Sequence, residues 1–533
     1  MYNNYTPLQQ RQLALQEYSN TQSTYLLVRA SARSTALKAT LTDQLHRKFR
    51  LVDRLGGELT ASVDGVLLAA EDVELMSTAL MYFAKALQDG ADYAVCNAVF
   101  GFGGATALYQ SQPLQAQNRC AVVSRTLLER CRAAAHDPEN VPELLALAAQ
   151  LCTKPTLIPQ ALLHYERGIC AEDAFSAHGK RAFIMSHVLD MTGAPIVLVS
   201  AVPVLRSMGY EVLVLGPSDG GSLQLFLDAG ASVITRSSCR NVSDAWGMAL
   251  CADFVIANTV VMARAVRALS GTAVPVLWWL HDAFAGYPHI AHQIPTQLGE
   301  NVRVYSVGSH AANAMRAVRP EFEIRPLIYG LPDYAAENFV RTDLGYNRGR
   351  PLFATVGSFE RRKGHDIFCK AIRLLPPEVR EKASFLFVGQ AADKEMMDSV
   401  RALTADYPEN VYYCKRLARD EIKSLMEQCT GLVCASRDDP MPTFVTEGLI
   451  FGKPSIVSEH TGTAGLISEG RNGFVYHNDD PQQLAVLLEH AIEHPEELAS
   501  MRTECRKMYE QYYSKEAFEQ TLRAAVEDLT AKK

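Results

Sequence analysis

From residue 181 onward, short apolar runs rich in β-branched residues alternate with helix-length segments, and this alternation restricts the fold more than any other feature of the sequence. Residues 182–186, 211–215, 232–235, 254–257, 274–280 and 302–307 are strand-like, and 194–207 has the length of a helix. After Pro351 the pattern restarts, with strand-like runs at 352–356, 384–388, 411–413, 431–434 and 455–457. Helical stretches at 366–375, 394–403, 420–428 and 443–450 lie among them. Strands spaced this way pair in parallel, because a parallel neighbour needs a crossover of about a dozen residues or more. The expected fold class is α/β, with two Rossmann-like parallel-sheet domains facing a cleft, residues 179–347 and 348–533. The helices of 481–529 should cover the second sheet, the last crossing back to the earlier domain. Residues 1–175 make a separate smaller block, α/β or mostly helical, since 533 residues are too many for one core.

Composition excludes more than it selects. The net charge of -7 gives no electrostatic reason to expect nucleic acid. The longest apolar stretches, such as 194–205, fall short of the ~20 residues of a membrane helix. The polar start Met1-Tyr2-Asn3-Asn4 lacks the basic-then-apolar order of a signal peptide, so a cytoplasmic location is expected. The 12 cysteines form no Cys-x-x-Cys pair and have no histidine at zinc-ligand spacing. They are expected to be buried thiols in a reducing compartment, with no structural metal.

The most informative stretch is 435–454, Ala-Ser-Arg-Asp-Asp-Pro-Met-Pro-Thr-Phe-Val-Thr-Glu-Gly-Leu-Ile-Phe-Gly-Lys-Pro. A strand ends at Cys434, a loop carries acids and prolines, and a helix starts near Pro442 or Thr443. The N–H groups of Thr443, Phe444 and Val445 and the helix dipole would form an anion site suited to a diphosphate. Glu447 lies about one turn into that helix and Asp439 in the loop before it. Taken alone, the loop also suits a plain capped helix, with Asp439 as N-cap and Pro440 at N1. Upstream, 354–366 runs from a strand into a glycine turn and three cations, Arg361-Arg362-Lys363, ahead of another helix.

These residues resemble the group 1 (family 4-type) glycosyltransferases, whose donor motif is Glu, seven residues, Glu, then a Gly-x-Pro loop. Glu447 matches the second acid, Asp439 stands one methylene short at the first, and Gly452-Lys453-Pro454 matches the loop. Lys363 and Gly364 match the family's Lys-Gly, while Ser358 stands where the family has arginine, with Arg361 and Arg362 near enough to replace the charge. Residues 385–389, 458–466 and 469–475 resemble the strand, loop and hairpin that complete the donor half.

The resemblance implies a retaining, metal-independent transfer from a UDP-sugar or GDP-sugar, with no other cofactor. Glu447 would hold the ribose, and Gly357, Ser358, Arg362 and Lys363 would surround the diphosphate. Asp439 would face the transferred sugar and support its developing positive charge. On the other side Thr192-Gly193-Ala194-Pro195 resembles the family's first loop, with Gly193 facing the phosphates. His281, at the end of the run 277–280, would contact the transferred sugar. Asn258, Thr259, Ser309 and His310, also at strand ends, would contact acceptor. That acceptor would be a glycan or lipid-linked saccharide of a bacterial surface polysaccharide. Peripheral contact with the inner face of the cell membrane and homo-oligomerisation fit the same picture.

The first block carries Leu37, Leu41 and Leu45 on one helical stripe and Met76, Leu80, Phe83 and Leu87 on another. Its order resembles a shortened GT-A glycosyltransferase domain ending in His164-Tyr165-x-Arg167, with Ala69-Ala70-Glu71 at the family's metal-binding Asp-x-Asp. That implies a silent remnant for packing, oligomerisation or acceptor docking; a helical adaptor is the alternative. Gly101-Phe102-Gly103-Gly104 lacks the third glycine of a dinucleotide loop. For the whole chain, the alternatives to an active transferase are a binding scaffold, suggested by Ser358 and Asp439, and an epimerase.

Overall fold

The computed structural model describes residues 23–31, 33–41, 44–71, 73–101, 106–110, 119–165, 179–218, 220–236 and 248–531. Arg167, Asp72 and the glycines Gly103 and Gly104 lie outside them. The chain divides into two compact units, 1–255 and 256–533.

In the first unit, β1 (Leu26–Arg29) pairs in parallel with β2 (Phe49–Val52) and β3 (Gly65–Ala69). β4 (Glu74–Leu75), β5 (Tyr93–Gly101), β6 (Thr106–Gln110), β7 (Cys120–Ser124) and β8 (Pro155–Tyr165) follow. Then come β9 (Lys180–Met185), β10 (Tyr210–Gly216) and β11 (Ser232–Arg236), which are mutually parallel, and β11 joins β6 antiparallel. One sheet therefore runs β9-β10-β11-β6-β5-β7-β3-β1-β2, with β8 pairing β5 and β4.

Successive strand residues point to opposite faces, so β1 feeds two cores. Leu26 and Val28 pack with Leu67, Cys96, Val122 and Phe83. Leu27 packs with Val66, Val123, Leu128 and Leu144. The block is thus α/β rather than mostly helical. Both helical stripes stop short of their expected length. The first helix, Thr35–Leu41, ends before Leu45, and the second, Ala79–Gln88, begins after Met76. Leu45 is still buried against Met81, whereas Met76 is 38% exposed beside the short strand β4. Tertiary packing, rather than helical periodicity, set those two apolar positions.

The second unit holds two arrays of strands. In the first the order is β15-β14-β13-β12, formed by β12 (Phe254–Asn258), β13 (Val276–Leu280), β14 (Val302–Ser306) and β15 (Ile324–Pro326). The other contains β16 (Leu352–Val356), β17 (Ser384–Val388), β18 (Val411–Cys414), β19 (Gly431–Cys434), β20 (Ser455–Ser458) and β21 (Gly473–Tyr476). Its order is β18-β17-β16-β19-β20-β21, and every pair is parallel. Chain order reverses between β16 and β19, and in such sheets the crevice beyond that reversal is where ligands enter. The last helix, Lys515–Thr530, lies against β13, with Phe518 stacked on Trp279 at a centroid distance of 5.8 Å. No described helix is long and apolar enough to cross a membrane.

Candidate functional site

Two loops meet at the β16/β19 reversal. Behind β16, Gly357 gives its N–H to Val388 O at 2.9 Å, so that donor is used by the fold. Ser358 Oγ bonds Glu360, and Arg362 Nε lies 2.8 Å from Glu360 Oε2. Burial pushes the Glu360 carboxyl up, but the Ser358 hydroxyl and Arg362 outweigh it and hold the group below the usual range. The tight turn Arg361–Lys363 closes on Gly364, whose φ is 65°. A Cβ there would sit 1.8 Å from Ala435 O, so only glycine lets this turn rest against the end of β19. Gly364→Ala is expected to cost at least about 2 kcal/mol, from the left-handed backbone plus the clash. A urea titration checks it, and a midpoint equal to that of the parent would contradict the close approach.

The approach brings Lys363 Nζ within 2.5 Å of Asp439 Oδ2 across 76 residues of sequence. Asp439 is 3% exposed and also accepts the Met441 N–H at 3.2 Å. Its own N–H goes to His460 O at 3.1 Å. Arg437 braces the turn from below, with a bidentate pair to Asp366 at 2.8 Å, a bond to Asp479 at 2.7 Å and one to Arg361 O at 2.8 Å. Burial raises the Asp366 carboxyl, yet the Arg437 bonds hold it below its ordinary value.

The helix Thr443–Ile450 opens with Pro442 as its N-cap residue, so Asp439 does not cap it. Val445 gives its N–H to Pro442 O at 3.1 Å. Helix geometry leaves the N–H groups of Thr443 and Phe444 without an acceptor inside the helix. One turn on, Glu447 Oε1 takes Arg419 Nη1 at 2.6 Å, and the Arg419 guanidinium lies 4.2 Å from the Tyr334 ring centre. No sequence motif marks Arg419; as the first residue of its own helix it resembles any solvated cation.

The structure thus gathers Gly357, Ser358, Arg362, Lys363, Asp439, Thr443, Phe444, Val445 and Glu447 on the loops and helix beyond β16 and β19. Gly193 opens the helix Gly193–Ser207 in the first unit. His281 follows β13, its ring 4.6 Å from that of Trp279. Beside it, Asp282 Oδ2 accepts the Val260 N–H at 2.6 Å. Burial pushes the Asp282 carboxyl up to about 6 despite that bond. Because its folded value lies above the unfolded value near 4, stability is lost as pH rises from about 4 to about 6 and the buried group ionises. Asp282→Asn should flatten the stability profile over that window; an unchanged slope in pH-dependent melting would refute it. His310, expected to meet acceptor, is 5% exposed and bonded to Asp438 at 2.7 Å. Among the described residues no group of acids, histidines and cysteines is arranged to hold a metal ion.

Two arrays of parallel strands with intervening helices, the second with its chain order reversing between β16 and β19, define the GT-B class. Solved structures agree in fold. HepE of Anabaena in complex with UDP gives a TM-score of 0.55 at 18% identity, covering 66% of this chain and 100% of that one. Sucrose-phosphate synthase of Thermosynechococcus elongatus gives 0.54 at 16%, covering 66% and 99%. Residues 178–318 match the model of glycosyl-transferase family 4 and residues 337–508 that of glycosyl transferases group 1. The chain therefore carries a family 4-type glycosyltransferase domain followed by a group 1 glycosyltransferase domain. Curated relatives include an uncharacterized glycosyltransferase of Methanocaldococcus jannaschii, 26% identical over 197 residues, 36% of this chain and 53% of that protein. Spore coat protein SA of Bacillus subtilis is 26% identical over 160 residues, 28% of this chain and 41% of that protein. The matches therefore span about half or less of these relatives' lengths.

Proposed function

We propose that this chain transfers a sugar from a UDP-sugar or GDP-sugar to a hydroxyl of a glycan or lipid-linked saccharide, with retention and without a metal. The observation that carries the reading is the grouping of Lys363, Asp439 and Glu447 beyond β16 and β19, where chain order reverses. Lys363, Arg362 and the first-turn N–H groups of Thr443 and Phe444 supply positive charge for a diphosphate. Glu447 accepts from ribose hydroxyls once Arg419 yields one oxygen. The bond between the sugar's anomeric carbon and the diphosphate oxygen breaks, and a new bond forms to the acceptor oxygen. The acceptor proton passes to the departing phosphate oxygen, so no separate base is needed. Asp439 and His281 stabilise the positive charge that develops on the sugar ring between those events.

Residues 1–175 act as an accessory domain, a GT-A-like remnant that leaves donor binding to the later domains. At its expected metal position stands Ala69-Ala70-Glu71, and Glu71 is engaged by Ser31 Oγ at 2.9 Å. Peripheral membrane contact and self-association belong to the same proposal. The test is turnover: the protein is incubated with UDP- and GDP-sugars and a panel of saccharide acceptors, with and without EDTA. Acceptor-dependent release of one nucleoside diphosphate, unaffected by EDTA and with the donor's anomeric configuration in the product, supports the reading. Nucleotide binding with no release under any condition would refute transfer in favour of a binding scaffold.

A further inference from the structure

The loop behind β19 carries adjacent acids that serve opposite sides. Asp439 turns to Lys363. Asp438 turns the other way and accepts three bonds: from the Phe284 N–H at 3.1 Å and His310 Nε2 at 2.7 Å on Oδ1, and from the Ala285 N–H at 2.7 Å on Oδ2. The short turn Phe284–Gly286 follows His281 and Asp282 at the end of β13, and His310 lies in the first turn of the helix after β14. One carboxylate therefore ties two strand-end elements of the β12–β15 sheet to the donor loop. Its backbone is fastened in turn to the Arg361–Lys363 turn, because Arg362 O accepts the N–H of Arg437 at 2.7 Å and of Asp438 at 3.4 Å. Anything gripped by Arg362 and Lys363 bears on the backbone that aims Asp438.

We propose that Asp438 is a positioning residue that transmits occupancy of the donor site to the acceptor side by fixing the Phe284–Gly286 turn. This rests on the reading that a nucleoside diphosphate is held at Lys363. A carboxylate suits the task because it is acceptor-only, matching two backbone N–H groups and an imidazole N–H. An amide must turn an NH2 toward one of those donors, so Asp438→Asn loses one bond and adds a donor–donor contact. Asp438→Glu keeps the charge and the acceptors, displaced by one methylene. Phe284 itself is 44% exposed, its ring 5.1 Å from that of His310, so the turn presents an apolar face whose placement depends on Asp438.

The experiment is hydrogen exchange of the 283–287 amides in the full chain, with and without saturating UDP or GDP, alongside calorimetric affinity for the same nucleotide. In the parent, nucleotide should slow exchange in this segment by about tenfold, as a charge-assisted hydrogen bond is tightened. Asp438→Asn should abolish that response while binding nucleotide within about threefold of the parent, a change under 1 kcal/mol. Asp438→Glu should recover part of the response, which a merely structural role would not produce. A response that survives in Asp438→Asn would overturn the proposal. So would a loss of nucleotide affinity beyond tenfold, which would put Asp438 in the donor site itself. If neither nucleotide binds the parent, the donor reading fails, and with it the coupling. The tie alone is then judged without ligand, where 283–287 must exchange faster in Asp438→Asn than in the parent.

Discussion

Lys363→Ala loses stability and nucleotide binding together, and Asp439→Ala added to it restores only the first. The reason lies in the burial of the pair. Asp439 has a side chain 4% exposed, and Lys363, at 19%, is its charged partner. Removing the lysine leaves a buried carboxylate with a single backbone N–H from Met441, an imbalance worth about 2–3 kcal/mol once relaxation is allowed for. Deleting the acid as well removes the unpaired charge, so the double variant should melt closer to the parent than Lys363→Ala does. The coupling energy from the four-cornered cycle is expected at about 1–3 kcal/mol. Nucleotide binding is expected to behave differently, since no deletion of Asp439 returns the cation proposed to meet the diphosphate. Additive stability effects would show that the pair is not the buried contact described.

Glu447→Ala is expected to weaken binding of the cognate nucleoside diphosphate by about 1.5–3 kcal/mol, roughly tenfold to over a hundredfold. Two ribose hydroxyls lose a charged acceptor, and no neighbouring acid on the same helix turn can replace it. Stability should barely move, because the Arg419 that pairs with Glu447 is 45% exposed and such a bridge contributes about 0–1 kcal/mol. The contrast separates the two acids: loss of Asp439's partner is expected to cost stability, loss of Glu447 nucleotide affinity. Calorimetry against melting temperature distinguishes them. A large stability loss with unchanged affinity in Glu447→Ala would place this residue in the scaffold instead.

The architecture of the second unit is legible in the sequence because its central parallel strands, enclosed on both faces, are apolar, as in Phe385-Leu386-Phe387-Val388. The helix Thr443–Ile450 is legible for a local reason too, since proline at its entry and glycine at 452 bracket it. The first unit is harder. β5, with the composition Tyr-Ala-Val-Cys-Asn-Ala-Val-Phe-Gly, has no strict alternation, because both faces are covered and it exchanges partners along its length among β6, β7 and β8. The edge strand β2, which pairs only β1, has two exposed residues out of four and gives no apolar run. Within the candidate site, Lys363, Asp439 and Glu447 are separately visible as motif residues. Their partners are not. Glu447 meets Arg419 across 28 residues and Asp438 meets His310 across 128, and no local pattern encodes pairings set by how loops leave a sheet. Arg437 is similar: beside two acids it resembles a solvated charge run, yet it spans to Asp366 and Asp479 and holds the cationic turn in place.

The most direct test of the central claim, a nucleoside-diphosphate site beyond β16 and β19, is calorimetric titration of UDP, GDP, ADP and CMP into the parent and into Lys363→Ala. UDP or GDP should bind the parent one-to-one, and that binding should be lost in the variant. Binding of none of the four, or binding that Lys363→Ala leaves unchanged, would contradict it.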